Sequence, residues 1–166
     1  MSMIGNYIMT DSETIEKILD GELSAEDVLY DEDDNEPEDF IDIDKSWHAI
    51  HFTLTGEIDE GDGDNPLAKV VMHGQLLGDE DVGYGPPMYL TVSDVKEANA
   101  ALQAISAEDF AAKFDGAAMR ENDIYPIMQD ENMDEFLEYC LAYFDIVKDF
   151  FDKAAEEEKC IIFFLN

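Results

Sequence analysis

The sequence predicts a single α+β domain in which a small mixed β-sheet, including both terminal strands, packs against several helices. Three observations lead to this fold class. The 166 residues are 46% hydrophobic, and a chain of this length buries roughly 70% of its unfolded surface as one domain. A long segment with helical periodicity runs from Asn132 to Lys159. The unbroken apolar run that follows it, Cys160–Leu165, is typical of a buried central strand. Residues 1–166 are therefore assigned to one domain.

The N-terminal part begins with a strand and continues with short helices. The apolar segment Met3–Met9 is short enough for a strand, and Gly5 within it predicts a close backbone approach or a bulge. Thr10 and Glu13 have the spacing of a capping box, which predicts the start of a short helix. A second short helix is expected to begin at Ser24.

The most distinctive stretch of the chain is 42–56, which carries the only Trp and two of the three His residues. Asp44 or Ser46 can cap a helix there, and Gly56 can end it in the left-handed conformation. Apolar residues recur at helical spacing along this stretch, so one face is expected to be buried. That face consists of Ile43, Trp47, Ile50, His51 and Leu54.

The second half of the chain contains two further strand candidates and three helices. Leu67–His73 and Met88–Val92 have the composition of strands. Helices are expected after Ser93 and Ser106, since Ser commonly caps helix starts. The Asn132–Lys159 helix is expected to form the spine of the domain. The N-terminal strand and the 67–73 strand are the predicted neighbours of the C-terminal strand.

Charge is the strongest bias of the composition. The chain has 42 Asp and Glu against 9 Lys and Arg, a formal net charge of −33. Direct nucleic-acid binding is excluded, because phosphate contacts need clustered Lys and Arg and this chain has a single Arg, Arg120. Binding to anionic membrane surfaces is disfavoured for the same reason. An acidic surface instead keeps a protein soluble, attracts cations or steers a basic protein into contact.

The cysteine content and the first residues predict a cytoplasmic protein. Cys140 and Cys160 are too few for a disulfide framework. Met1–Met9 contains no basic residue, and Asp11 interrupts it before an apolar region forms, so no secretory signal is predicted. No apolar run approaches the roughly 20 residues that span a bilayer.

A candidate ligand-binding cleft is built from polar aromatic residues near the predicted loops, namely Trp47, His48, His51, His73 and Tyr84. His48 and His51 lie three residues apart, where two imidazoles on a helix can share a metal ion. However, buried histidines are more often hydrogen-bonded core groups. The His-Glu-x-x-His motif is also absent. We therefore predict no metal, no cofactor and no complete catalytic motif.

Two acidic loops are predicted, over residues 31–44 and 57–66. The first loop follows part of the spacing of a calcium-binding loop. Its sixth position is Glu36, where Gly is needed for the turn, and its twelfth is Asp42, where a Glu reaches the ion with both oxygens. Weak binding of divalent cations is the most that this pattern predicts.

Several short segments together carry a family resemblance. They are Met3–Asn6, Asp44–Gly56, Asn65–Leu67, Gly83–Pro86, Tyr89–Leu90, Ile124–Pro126 and the closing apolar strand. In these segments the chain resembles the YfbM-like family of bacterial proteins, a family of unknown function. The resemblance covers nearly the whole chain and departs at Met128, where the family is expected to carry a Trp. It implies a compact α+β domain and no established activity.

The charge and the lack of a complete catalytic motif favour a non-catalytic binding protein that sequesters or neutralises a basic protein partner, as an inhibitor or immunity protein does. The alternative is a small-ligand-binding protein or a hydrolase-type enzyme with a cleft around Trp47, His48, His51 and Tyr84. A third hypothesis is that the acidity only adapts the protein to its solvent. The sequence leaves the oligomeric state open.

Overall fold

The computed structural model describes residues 2–30, 39–128 and 130–166. Within these ranges, five strands form one sheet in the order β2-β1-β5-β4-β3. The strands are β1 (Gly5–Thr10), β2 (Phe40–Asp42), β3 (Gln75–Leu76), β4 (Met88–Leu90) and β5 (Cys160–Leu165). The two terminal strands, β1 and β5, are adjacent at the centre of the sheet, which confirms their predicted place.

The sheet is antiparallel in every pairing that the structure describes, not mixed as predicted. Each strand pattern in the sequence records which residues are apolar, and this pattern is the same whichever way the strand runs. Strand direction therefore had no local signal in the sequence. The α+β class itself is confirmed.

Seven α-helices surround the sheet within the described residues. They are α1 (Ser12–Leu19), α2 (Ala25–Leu29), α3 (Trp47–Thr55), α4 (Val92–Gln103), α5 (Ala107–Lys113), α6 (Gly116–Glu121) and α7 (Met133–Glu156). The long helix α7 contacts α3, α4 and α5 and is the predicted spine. The side chain of Asn132 caps α7 by accepting from the amides of Asp134 and Glu135. In the part of the chain described, no helix is both long enough and apolar enough to cross a membrane.

The two faces of the sheet carry separate cores, because successive side chains of a strand point to opposite faces. On one face, Tyr7 of β1 packs against Phe163 of β5 and Phe151 of α7, with ring centroids 5.0 and 5.9 Å apart. On the other face, Ile8 and Ile162 belong to a smaller cluster that includes residues of α1 and α2. The larger core therefore lies between the sheet and α7.

The prediction that Leu67–His73 forms a strand is wrong. Pro66–Val70 forms a 3₁₀-helix, capped by the side chain of Asn65, which accepts from the amide of Leu67 at 3.1 Å. Pro at the first helical position favours this conformation. The Val-rich composition reflects burial instead of strand geometry, and β4 takes the place beside β5 that was predicted for this segment.

Two predicted helix caps lie one or two residues from the observed ones, and a third has the predicted position but makes no capping hydrogen bond. Asp11 caps α1 by accepting from the amide of Thr14, in place of the predicted Thr10 box. Thr91 caps α4, two residues before the predicted Ser93. Ser24 precedes α2 as predicted, yet its hydroxyl donates to Glu80 and makes no capping bond. Several neighbouring residue types can accept the same amide, so the sequence did not select one of them.

Other local predictions are confirmed. Ser106 forms a capping box with Asp109 at the start of α5. Gly56 ends α3 with φ of 74°, in the left-handed region. Gly5 lies against α3, where an added Cβ would be 3.0 Å from the Cβ of Trp47. A side chain at this position would therefore push β1 away from α3.

Candidate functional site

Trp47 lies at the start of α3 in a stack of three rings. A short 3₁₀-helix, Asp44–Ser46, leads into α3 and places the indole inside the protein, where it is 5% exposed. Its ring packs against His48, with centroids 5.2 Å apart and planes 16° apart, and against Tyr125, at 5.7 Å and 29°. The indole N–H donates to the carbonyl of Met3 at 2.9 Å. The one Trp of the chain is therefore a packed and hydrogen-bonded core residue.

His48 uses both of its ring nitrogens within the protein. The amide of Tyr125 donates to Nδ1 at 2.9 Å, so the ring hydrogen is on Nε2, which donates to the carbonyl of Ile58 at 2.8 Å. Burial lowers the pKa of this imidazole, which favours the neutral form. Neither nitrogen is left to coordinate a metal ion in this arrangement.

His51, one turn further along α3, is fully buried. Its Nε2 donates to the carbonyl of Asp59 at 2.5 Å, while Nδ1 is buried with no hydrogen-bond partner among the described residues. Burial lowers the pKa of the ring, and the carboxylates of Glu57 and Asp59 oppose that effect. Together, His48 and His51 fasten the acidic loop that follows Gly56 to α3.

The remaining two predicted site residues lie on other segments. His73 follows the Pro66–Val70 helix and packs on the acidic loop, where a Cβ added to Gly63 would be 2.6 Å from its Nε2. Tyr84 lies between β3 and β4 and is 39% exposed; its amide donates to the carbonyl of Leu165 at 3.1 Å. Of the five residues predicted to form a cleft, the structure therefore brings Trp47 and His48 together in one ring stack and places His51 one turn along the same helix. His73 and Tyr84 lie on other segments.

Possible metal ligands do not converge in the described ranges, where no group of three or more His, Cys, Asp or Glu is arranged to hold a metal ion. The predicted partial calcium pattern falls mostly on residues 31–38, outside the described residues. At its described end, Asp39 accepts from the Lys153 ammonium at 3.0 Å. That carboxylate therefore has a protein partner.

An open pocket of about 420 Å³ lies between the turn before α3, the segment after Tyr125 and the first turns of α7. Its acidic lining residues are Asp44, Glu131 and Glu135, and its apolar ones are Pro126, Met128 and Phe136. Lys45 and Tyr139 complete the lining. Met128 is 68% exposed and adds apolar surface to the pocket.

Tyr139 links α7 to the turn before α3 at this pocket. Its hydroxyl donates to Oδ2 of Asp44 at 2.8 Å and accepts from the amide of Lys45 at 3.0 Å. Burial, and then the hydrogen bond to Asp44, raise the pKa of this phenol, so it stays protonated. Asp44 has φ of 50°, and its amide donates to Oδ1 of Asp42 at 2.8 Å. Short polar side chains tolerate this left-handed conformation.

The carboxylates of Glu131 and Glu135 make no ion pair among the described residues, although both line the pocket. The position of Glu131 is fixed through its backbone, because its carbonyl accepts from the guanidinium of Arg120.

Sequence analysis missed this pocket and the role of Tyr125. In the sequence, the segment Ile124–Pro126 was noted only as part of the family resemblance, which assigns it no role. The pocket has no signal in the sequence, because its lining residues come from distant parts of the chain.

Comparisons with known proteins agree with this fold. Among solved structures, the chain is similar to YfbM from Escherichia coli, a protein of unknown function, with a TM-score of 0.73 and 18% sequence identity over 98% of this chain and 99% of that one. At this identity the similarity shows the fold alone. No curated protein matches the chain. The family model described as a domain of unknown function, DUF1877, matches residues 1–164, and the chain therefore belongs to the DUF1877 family.

Proposed function

We propose that this protein is a non-catalytic, acidic binding protein that sequesters or neutralises a basic protein partner in the bacterial cytoplasm. One observation carries the proposal. The chain has 42 Asp and Glu but only 9 Lys and Arg, so most carboxylates have no basic side chain of their own with which to pair. A fixed negative charge of this size speeds the approach of basic proteins and disfavours acidic ones.

The pairing of the lysines also supports a uniformly acidic surface. Lys17, Lys69, Lys96 and Lys153 each lie 2.7 to 3.2 Å from a carboxylate oxygen of the same chain. The pairs of Lys17, Lys96 and Lys153 are exposed and add little stability, but all four pairs neutralise the basic groups locally. The positive charges of these four lysines are therefore offset by neighbouring carboxylates and do not repel a basic partner.

The alternative function has less support. A small-ligand or hydrolase cleft around Trp47, His48, His51 and Tyr84 would need polar atoms that are free to act on a ligand. Both ring nitrogens of His48 are hydrogen-bonded within the protein, and His51 is fully buried. Cys140 is also buried, and burial raises the pKa of its thiol to about 12, which keeps it protonated at neutral pH. A binding protein requires none of these groups to react.

A pull-down with the tagged full-length protein tests the proposed function. The lysate of its own cell is applied at low and at high salt, with an unrelated acidic protein of similar charge as the control bait. We expect one basic protein, bound stoichiometrically at low salt, lost at high salt and absent from the control, because salt screens exposed charges. The same set of basic proteins on both baits, or no basic protein on either, would contradict the proposal.

A further inference from the structure

The pocket beside the first turns of α7 combines aromatic and aliphatic surface with carboxylates that make no ion pair within the described part of the chain. We propose that it receives an arginine side chain of the basic protein partner. This inference rests on the proposed function and specifies the group by which the partner is recognised.

Three segments of the chain bring carboxylates to this one volume. Asp44 comes from the turn before α3, Glu131 from the loop before α7, and Glu135 from α7 itself. Asp44 accepts one hydrogen bond from Tyr139, and the other two carboxylates make no ion pair among the described residues. Among the described residues of the lining, Lys45 carries the one ammonium, and the guanidinium of Arg120 lies at the carbonyl of Glu131, so the three carboxylates still outnumber the two cationic groups.

The aromatic part of the lining favours a guanidinium over an ammonium. The rings of Phe136 and Tyr139 stack with their centroids 5.8 Å apart and their planes 25° apart. Phe136 is buried and supports Tyr139 through this stack, while two hydrogen bonds fix the hydroxyl of Tyr139. Tyr139 is half-buried and is therefore the ring that a guanidinium can reach. A guanidinium is planar, stacks on aromatic rings, binds carboxylates through two hydrogen bonds and is less strongly hydrated than an ammonium.

The exposed residue Met128 completes the match to arginine. An arginine side chain has an aliphatic stem that packs on apolar surface while its charged end remains near water or carboxylates. Met128 provides such a surface at the same pocket, and methionine adapts its shape to what it contacts. The charge of −33 attracts a basic protein from any direction, whereas this pocket gives the complex a defined orientation.

Calorimetric titrations of the full-length protein at low salt test this proposal. The probes are two capped, glycine-spaced peptides of equal charge, one with several arginines and the other with lysines at the same positions. We expect the arginine peptide to bind about tenfold more tightly, since only the guanidinium stacks and pairs bidentately.

Two double variants of equal charge provide the matched comparison. Glu131→Gln with Glu135→Gln should weaken binding of the arginine peptide about fivefold and remove most of the preference over lysine. Glu16→Gln with Glu22→Gln removes the same charge at exposed positions in and after α1, and it should change the affinity less than about twofold. Thermal melting of both variants checks that each is folded.

Equal affinities for the two peptides would overturn the pocket proposal, and so would equal weakening by the two double variants. Either result would mean that diffuse charge alone binds the peptides. If both variants capture the same basic partner as well as wild type does, the pocket proposal fails while the sequestering function stands. A clear arginine preference without any basic partner in the pull-down would support the pocket and remove the sequestering function.

Discussion

Two regions of this protein are built around aromatic rings but differ in the polar groups that lie beside those rings. In the stack at the start of α3, the polar atoms of Trp47 and His48 are all hydrogen-bonded inside the protein. In the pocket beside α7, the hydroxyl of Tyr139 is also bonded internally, but the carboxylates of Glu131 and Glu135 make no ion pair among the described residues. Trp47 and His48, the residues that stand out most in the sequence, thus stabilise the fold. A binding surface is expected instead where polar groups, such as the carboxylates of Glu131 and Glu135, can still accept hydrogen bonds from a partner.

The largest expected effect comes from truncating the stack. Trp47→Ala removes a 5% exposed ring and its hydrogen bond to Met3. We expect the free energy of unfolding to fall by about 3 to 5 kcal/mol, measured by urea denaturation. Leu76→Ala is the control, since this residue of β3 is 63% exposed and should change stability by less than about 0.5 kcal/mol. Similar values for both variants would show that the stack is not a packed core element.

The two histidines of α3 should make stability depend on pH. Burial lowers the pKa of His48 and His51 below the ordinary value of 6.5. As the pH falls, the unfolded chain therefore binds protons on these histidines at a higher pH than the folded protein does, and stability is lost as the pH falls below about 6.5, the pKa of an ordinary imidazole. Thermal melting of wild type against His48→Gln with His51→Gln isolates this contribution. The variant should show a smaller loss across that window; an equal or larger loss would contradict the assignment of both rings as neutral core groups.

A smaller loss of stability is expected at the pocket. Tyr139→Phe removes the hydrogen bonds to the side chain of Asp44 and from the amide of Lys45. We expect a loss of about 1 kcal/mol in urea denaturation. Tyr89→Phe is the matched control, because that hydroxyl donates only to the exposed side chain of Gln75, and it should cost less than about 0.5 kcal/mol. Equal losses would show that Tyr139 does not fix the turn before α3.

The smallest expected effect has the opposite sign. Lys45→Gln removes the ammonium from the pocket lining, so binding of the arginine peptide should tighten about two- to threefold at low salt. Calorimetry measures this change. Unchanged or weaker binding of the arginine peptide by this variant would contradict the placement of the arginine beside Lys45, because removal of a like charge strengthens the attraction of a cation.

The sequence predicted those features of the fold that have a local signal. The spine helix α7 and the terminal strand β5 follow from long, uninterrupted hydrophobic patterns. The pocket has no such signal, because Asp44 and Tyr139 are 95 residues apart in the chain. The contact between His48 and the amide of Tyr125 spans 77 residues. A helical pattern shows that a histidine faces inward but not which distant group it meets, so the predicted cleft mixed core residues with exposed ones.

The difference between the two regions is tested most directly by mapping amide and indole chemical shifts while the arginine peptide is added to the labelled full-length protein. We expect the amides of Asp44, Lys45, Glu131 and Glu135 to shift most, with the indole resonance of Trp47 unchanged. Larger shifts at Trp47 than at the pocket, or even shifts across the whole acidic surface, would contradict the assignment of the α7 pocket as the recognition site.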